Sequence, residues 1–152
     1  MLGYGRPTAL ASYGRIANAE LDPIQQIVML YDGAIKFLRL AATNIEEHDI
    51  HAKAEHTSRA IDIISYLQSI LDFERGGDVA PVLDALYSNV LAITLRASVR
   101  LDPAQMHRAA DLLLPVRESW ATNAQANALA SAALSANNLS NAAANVRHSA
   151  MA

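Results

Sequence analysis

The chain has no cysteine, which excludes disulfides and thiolate metal sites and is compatible with a reducing compartment. Aromatic residues are scarce, at 5% against 52% hydrophobic residues overall. The apolar content therefore rests on alanine and leucine, which suit helices better than sheets. No excess of positive charge exists to attract nucleic acid, because the net charge is −3. No run of about 18 apolar residues is present, so no membrane-spanning helix is expected. The opening MLGYGRPTALASYGRIANAE lacks the continuous apolar stretch of a secretory signal. Catalytic signatures are missing as well. There is no phosphate-binding glycine loop and no G-x-S-x-G. A di-iron bundle needs Glu-x-x-His pairs, yet none of the five histidines follows a glutamate by three residues. His48, His51 and His56 cluster near one turn, and His51 and Glu55 share a helix face, but solvated turn residues explain them better than a metal. At the Arg75-Gly76-Gly77 helix stop, Asp78 disfavours an anion. We expect no catalytic residues, no metal and no cofactor.

What is present is helical periodicity across a chain of one-domain length, 152 residues. Residues 1–21 hold three glycines and a proline without a sustained period and read as an N-terminal arm. Asp22-Pro23 then opens a first helix to about Glu47, with Gln25 placed for a capping box. Its stripe is Ile24, Ile27, Val28, Tyr31, Ala34, Ile35, Leu38, Ala42 and Ile45. A polar turn leads to a second helix, about Ile50 to Glu74, with Ala60, Ile64, Leu67 and Leu71 inward; Gly76-Gly77 stops it. Asp78 is positioned to cap a third helix with Val79, Val82, Leu83, Leu86, Val90, Ile93 and Ala97 inward. Asp102-Pro103 repeats the Asp-Pro start, and the fourth helix carries Met106, Ala109, Ala110, Leu113, Val116 and Trp120. Pro115 inside it should kink it or break its hydrogen bonding. Four such helices joined by short turns predict an all-α, antiparallel up-down four-helix bundle over residues 22–122. Residues 123–152, rich in alanine, asparagine and serine, read as a helix extension fraying into a mobile tail.

The first helix has apolar residues on two sides. Met29, Leu30, Phe37 and Leu40 fall outside its stripe, with Gly33 among them, and Gln25, Asp32, Lys36 and Arg39 leave only a narrow polar strip. Off-stripe residues recur as Ile63, Tyr66 and Ile70 on the second helix and as Tyr87, Leu91 and Leu95 on the third. Such surplus predicts an exposed apolar patch, with Gly33 as a notch for close backbone approach. A groove for an apolar partner helix is one reading. Burial within the bundle, or against a second copy in a homodimer, is the other.

The stretch Leu30-Tyr31-Asp32-Gly33-Ala34 resembles the flagellar secretion chaperone family FliS. So do Arg59-Ala60-Ile61-Asp62-Ile63-Ile64, the turn Leu71-Asp72-Phe73-Glu74-Arg75-Gly76-Gly77, Leu83-Asp84-Ala85-Leu86-Tyr87 and the late Trp120. The match is ordered over about residues 10 to 122. The resemblance implies a non-enzymatic cytoplasmic chaperone that binds the disordered C-terminal segment of flagellin, blocks premature polymerisation and delivers it to the flagellar type III export gate. It implies that the off-stripe residues bind flagellin: Met29, Leu30, Gly33, Phe37, Leu40, Ile63, Tyr66, Ile70, Tyr87, Leu91 and Leu95. Leu10 and Tyr13 match the family's hydrophobic-x-x-Tyr pair for docking on an export gate component. No nucleic acid and no membrane insertion are implied. A helical adaptor or regulatory bundle that dimerises through the same face is the alternative function. Three departures stand out: Ala92-Ile93 replaces an Arg-Arg common in the family, Ala97-Ser98 replaces its Ala-Asn, and the tail exceeds the usual family length. The tail's composition is similar to that of flagellin termini, which suggests an occupant of the groove in cis.

Overall fold

The computed structural model describes residues 22–123, all in helices and short turns. The arm with Leu10 and Tyr13, and the tail beyond residue 123, lie outside the described residues. Helix α1 spans Pro23–Glu46, α2 Ile50–Ser69 and α3 Val79–Arg100. A fourth helix, α4, begins at 103 and continues to the last described residue, 123.

Side-chain bonds between helices give their directions. Asn44 near the end of α1 meets His56 near the start of α2 at 2.6 Å. Lys53 early in α2 donates to the Ser98 carbonyl late in α3 at 3.0 Å, while Gln68 late in α2 donates to Asp84 early in α3 at 2.9 Å. Arg39 donates to Asp111 at 2.6 Å, and Arg117 donates to Asp32 at 2.8 Å. Each pair of sequence-adjacent or closing neighbours thus runs antiparallel, and α4 returns beside α1. Two members of the narrow polar strip of α1, Asp32 and Arg39, bridge to α4, while Gln25 and Lys36 stay exposed. Exposed ion pairs of this kind contribute roughly 0–1 kcal/mol each; their role is to fix the rotation of α4 against α1.

The core is built from large and very small side chains together. Tyr31, Leu38, Ile63, Ile64, Leu67, Val90, Met106 and Leu113 are fully buried, and so are Ala34, Ala41, Ala42, Ala60, Ala109 and Ala110. The alanines let backbones approach closely, so the buried arc of each helix extends beyond its stripe of large residues. This overturns part of the two-sided reading. Leu30 and Ile63 are core residues, 4% and 0% exposed, and Tyr87 is 2% exposed. In the other direction, Val79 and Val82, assigned inward by spacing, stand exposed.

Several local expectations also change. Asp22 makes no side-chain cap bond; α1 starts instead with Pro23 and with the Gln26 N–H donating to the Asp22 carbonyl. Helix α2 ends at Ser69, five residues before Glu74, because the Asp72 carboxylate accepts from the Glu74 and Arg75 N–H groups and folds the chain into a turn. Gly76 and Gly77 therefore shape a loop already under way. A Cβ on Gly76 would lie 2.6 Å from the Asp72 carbonyl oxygen, and Gly77 has φ +50. Asp78 does not cap α3 with its side chain. The second Asp-Pro start behaves as expected, with Asp102 accepting from the Gln105 N–H. Asp49 likewise caps α2 through the Ala52 N–H. Helix α4 runs on through Pro115.

Among the described residues, Thr57 Oγ1 is the one buried side-chain polar atom without a hydrogen-bond partner. Replacing Thr57 by the equal-shaped valine removes that unmet group and should raise stability by about 1 kcal/mol. Urea denaturation checks this.

Candidate functional site

Helix α3 stands out for how little of its apolar surface is covered. By length and composition it is long and apolar enough to cross a membrane, contrary to the expectation from run length, and only 33% of its most apolar window is buried. Its inward side, with Leu83, Tyr87, Val90, Ile93, Thr94 and Ala97, belongs to the bundle core. Its outward side carries Val82 (67% exposed), Leu95 (53%) and Val99, with Val79 at its start. Ala85 and Ala92 lie between them, also exposed. Only Ser88, Asn89, Arg96 and Arg100 interrupt that face with exposed polar groups. Ala92 therefore adds to an apolar face, while its neighbour Ile93 enters the core.

At the start of α3 this face joins an apolar cleft of about 280 Å³ under the α2–α3 turn. Ile70 and Leu71 close α2 on one side of it; Val79, Leu83 and Tyr87 come from α3, and Trp120 from α4. Gly76 forms part of the wall, and its missing side chain keeps the turn against Ala80. Phe73 adds an exposed ring in the same turn. The cleft floor is tied by hydroxyls. Tyr31 of α1 and Tyr87 of α3 are hydrogen bonded at 2.5 Å, with either able to donate, and their rings lie 6.2 Å apart. Trp120 of α4 lines the cleft near this pair. Helices α1 and α3 therefore meet in one polar contact inside an apolar end.

Burial pushes both phenols above their ordinary range. For Tyr31 the hydrogen bond with Tyr87 partly offsets it; for Tyr87 the bond to Tyr31 adds to it, and the rise is larger. The linkage follows. Above about pH 10 the unfolded chain releases these protons while the bundle retains them. Their stabilisation is complete below that pH and is lost as pH rises beyond it. Unfolding free energy should therefore fall more steeply above pH 10 for the natural chain than for the Tyr31→Phe/Tyr87→Phe variant. Urea titrations between pH 8 and 11 measure the difference.

The residues singled out by sequence do not form one groove. Ile70 and Tyr87 line the cleft, and Leu95 lies on the α3 face. Met29 is exposed on α1. Gly33, Leu40, Tyr66 and Leu91 are half-buried. Phe37 is screened, stacked on His56 at 5.9 Å with Lys36 and Arg59 over its ring. Leu30 and Ile63 are inside. Sequence reasoning missed Val79, Val82, Val99 and the turn around Phe73. The available signal was an apolar turn, since valines and a phenylalanine flank Gly76-Gly77 where a loop is normally polar. His51 and Glu55 do approach each other, at 3.1 Å on the exposed side of α2, but no group of three metal-ligating side chains converges among the described residues.

Known proteins are similar to this chain in sequence. A family model described as "Flagellar protein FliS" matches residues 7–128. The flagellar secretion chaperone FliS of Salmonella typhimurium is 38% identical over 100 residues, covering 65% of this chain and 74% of the relative. The FliSB chaperone of Pseudomonas aeruginosa is 32% identical over 102 residues, covering 67% and 81%. FliS of Vibrio cholerae is 31% identical over 99 residues, covering 65% and 73%.

Proposed function

The chain belongs to the FliS family of flagellar secretion chaperones, and from that premise we propose that it binds the C-terminal segment of flagellin along the outward face of α3 and in the cleft at the α2–α3 end. The observation that carries this reading is the uncovered apolar surface of α3. Exposed Ala85, Ala92, Leu95 and Val99 lie within one arc of α3, flanked by Val82, and offer a partner helix a row of contacts. Burying their exposed portions contributes on the order of 1 kcal/mol each. Ordering a disordered client costs about 2–5 kcal/mol of that gain. These two terms nearly cancel, so contacts in the cleft supply the net affinity, and release needs no ATP.

Occupying the client's apolar segment keeps it from packing with other flagellin copies in the cytoplasm. Delivery to the export gate then runs through Leu10 and Tyr13 of the N-terminal arm. No bond is made or broken in this cycle; the chaperone acts by binding and shielding alone.

Titration of the full chain with a peptide of the flagellin C-terminal segment tests the reading. Trp120, the only tryptophan in the chain, lines the cleft and reports on its filling. Saturable one-site heat and a shift of Trp120 emission to shorter wavelength are expected. An absence of heat, or a stable dimer of the chain that the peptide does not dissociate, contradicts it; the dimer outcome favours the adaptor alternative.

A further inference from the structure

Seven arginines lie among the described residues, and their partners divide them. Arg39, Arg75 and Arg117 pair with carboxylates of Asp111, Asp72 and Asp32. Arg59 lies over the Phe37 ring. Arg96, Arg100 and Arg108 are exposed, make no ion pair or hydrogen bond among the described residues, and line one open cleft of about 360 Å³ at the α3–α4 corner. The single carboxylate in that cleft is already engaged, since Asp102 Oδ1 accepts from the Gln105 N–H at 3.2 Å. Three guanidiniums thus face one opening with one counter-charge, in a chain whose overall charge is −3. Like charges gathered this way repel each other, and an anionic ligand relieves the repulsion. Guanidinium forks match carboxylates in two-pronged geometry.

The neighbouring surface says what kind of anion fits. Leu95 and Val99, the latter 82% exposed, form an i, i+4 ridge beside the Arg96–Arg100 ridge, and Leu101 is exposed at the turn. Arginine next to uncovered aliphatic surface is the composition of a protein interface. Nucleic acid would instead call for a stacking aromatic and a longer basic track, and the cleft has no aromatic residue.

We propose that the α3–α4 corner binds an acidic amphipathic segment of a protein partner. Its carboxylates seat among Arg96, Arg100 and Arg108, and its apolar side chains rest on Leu95 and Val99. The corner lies about 25 Å along α3 from the cleft at Val79, at 1.5 Å per residue. The arginine cluster lies outside the client cleft, but the two surfaces share Leu95 and Val99, so the acidic segment and the client compete for that part of α3.

The test uses the full chain and a fluorescein-labelled helical peptide of about five turns, with glutamates on one face and leucines on the other. Saturable binding is expected, weakened at least tenfold in R96Q/R100Q/R108Q at an unchanged melting temperature. The R96E/R100E/R108E variant should reject this peptide and accept its lysine counterpart. Four results overturn the proposal. One is no binding, and another is equal binding of a glutamine-for-glutamate peptide. A third is natural affinity in the triple glutamine variant. The last is stronger binding of inorganic phosphate or a single-stranded oligonucleotide than of the peptide, which would make the corner a small-anion or nucleic-acid site.

Discussion

Aspartate at both Val82 and Leu95 is expected to weaken binding of the flagellin C-terminal segment about a hundredfold while leaving the bundle folded. Both side chains are more than half exposed in the free protein, so they contribute little to folding, and surface changes of this kind stay within about 0.5 kcal/mol. In the complex each would lose its apolar contact and leave a carboxylate desolvated beside the partner. A combined loss of about 3 kcal/mol corresponds to the hundredfold change. Calorimetric titration, with circular dichroism melting alongside, measures both quantities. Unchanged affinity in the folded variant would remove the α3 face from the binding surface.

Ile63→Ala should do the opposite. Ile63 is fully buried, and truncating such a side chain costs about 2–5 kcal/mol. Against a typical total of about 5–15 kcal/mol, that is among the largest effects a single substitution can have here. The urea midpoint should drop sharply, while the protein that remains folded binds the client peptide as before. A loss of affinity at unchanged stability would place Ile63 on the binding surface after all.

These two predictions mark where sequence reading succeeded and where it did not. Helix number, order and most boundaries were legible because apolar residues recur at three and four and because Asp-Pro and short polar turns punctuate them. The rotation of each helix was less legible. Fully buried Ala41 and nearly buried Asn44 show that the inward side of α1 is centred away from its large residues. Counting leucine and isoleucine while discounting alanine turns the inferred inward direction by roughly 50° on the wheel. That rotation explains why spacing alone turns Leu30 and Tyr87 outward and Val82 inward; Val79 is exposed because it is the first residue of α3. The early end of α2 had a different cause. Asp72 bonds its own following backbone, and that local competition overrides a sequence otherwise able to stay helical.

The cleft was the least legible feature, because it depends on three helices meeting in space. It brings Tyr87 together with Trp120, 33 positions away, above the bond from Tyr87 to Tyr31, 56 positions away. Each has an ordinary core reading by itself. Only the fold places two hydroxyls and the single tryptophan beneath an apolar opening, next to a turn whose glycine permits close packing.

Hydrogen exchange on the full chain, with and without the flagellin C-terminal peptide, tests the central claim most directly. Slowed exchange in α3 and in residues 70–83, with α4 beyond Asp102 little changed, is the predicted pattern. Protection confined to α1 or α4, with α3 exchanging as in the free protein, would contradict it.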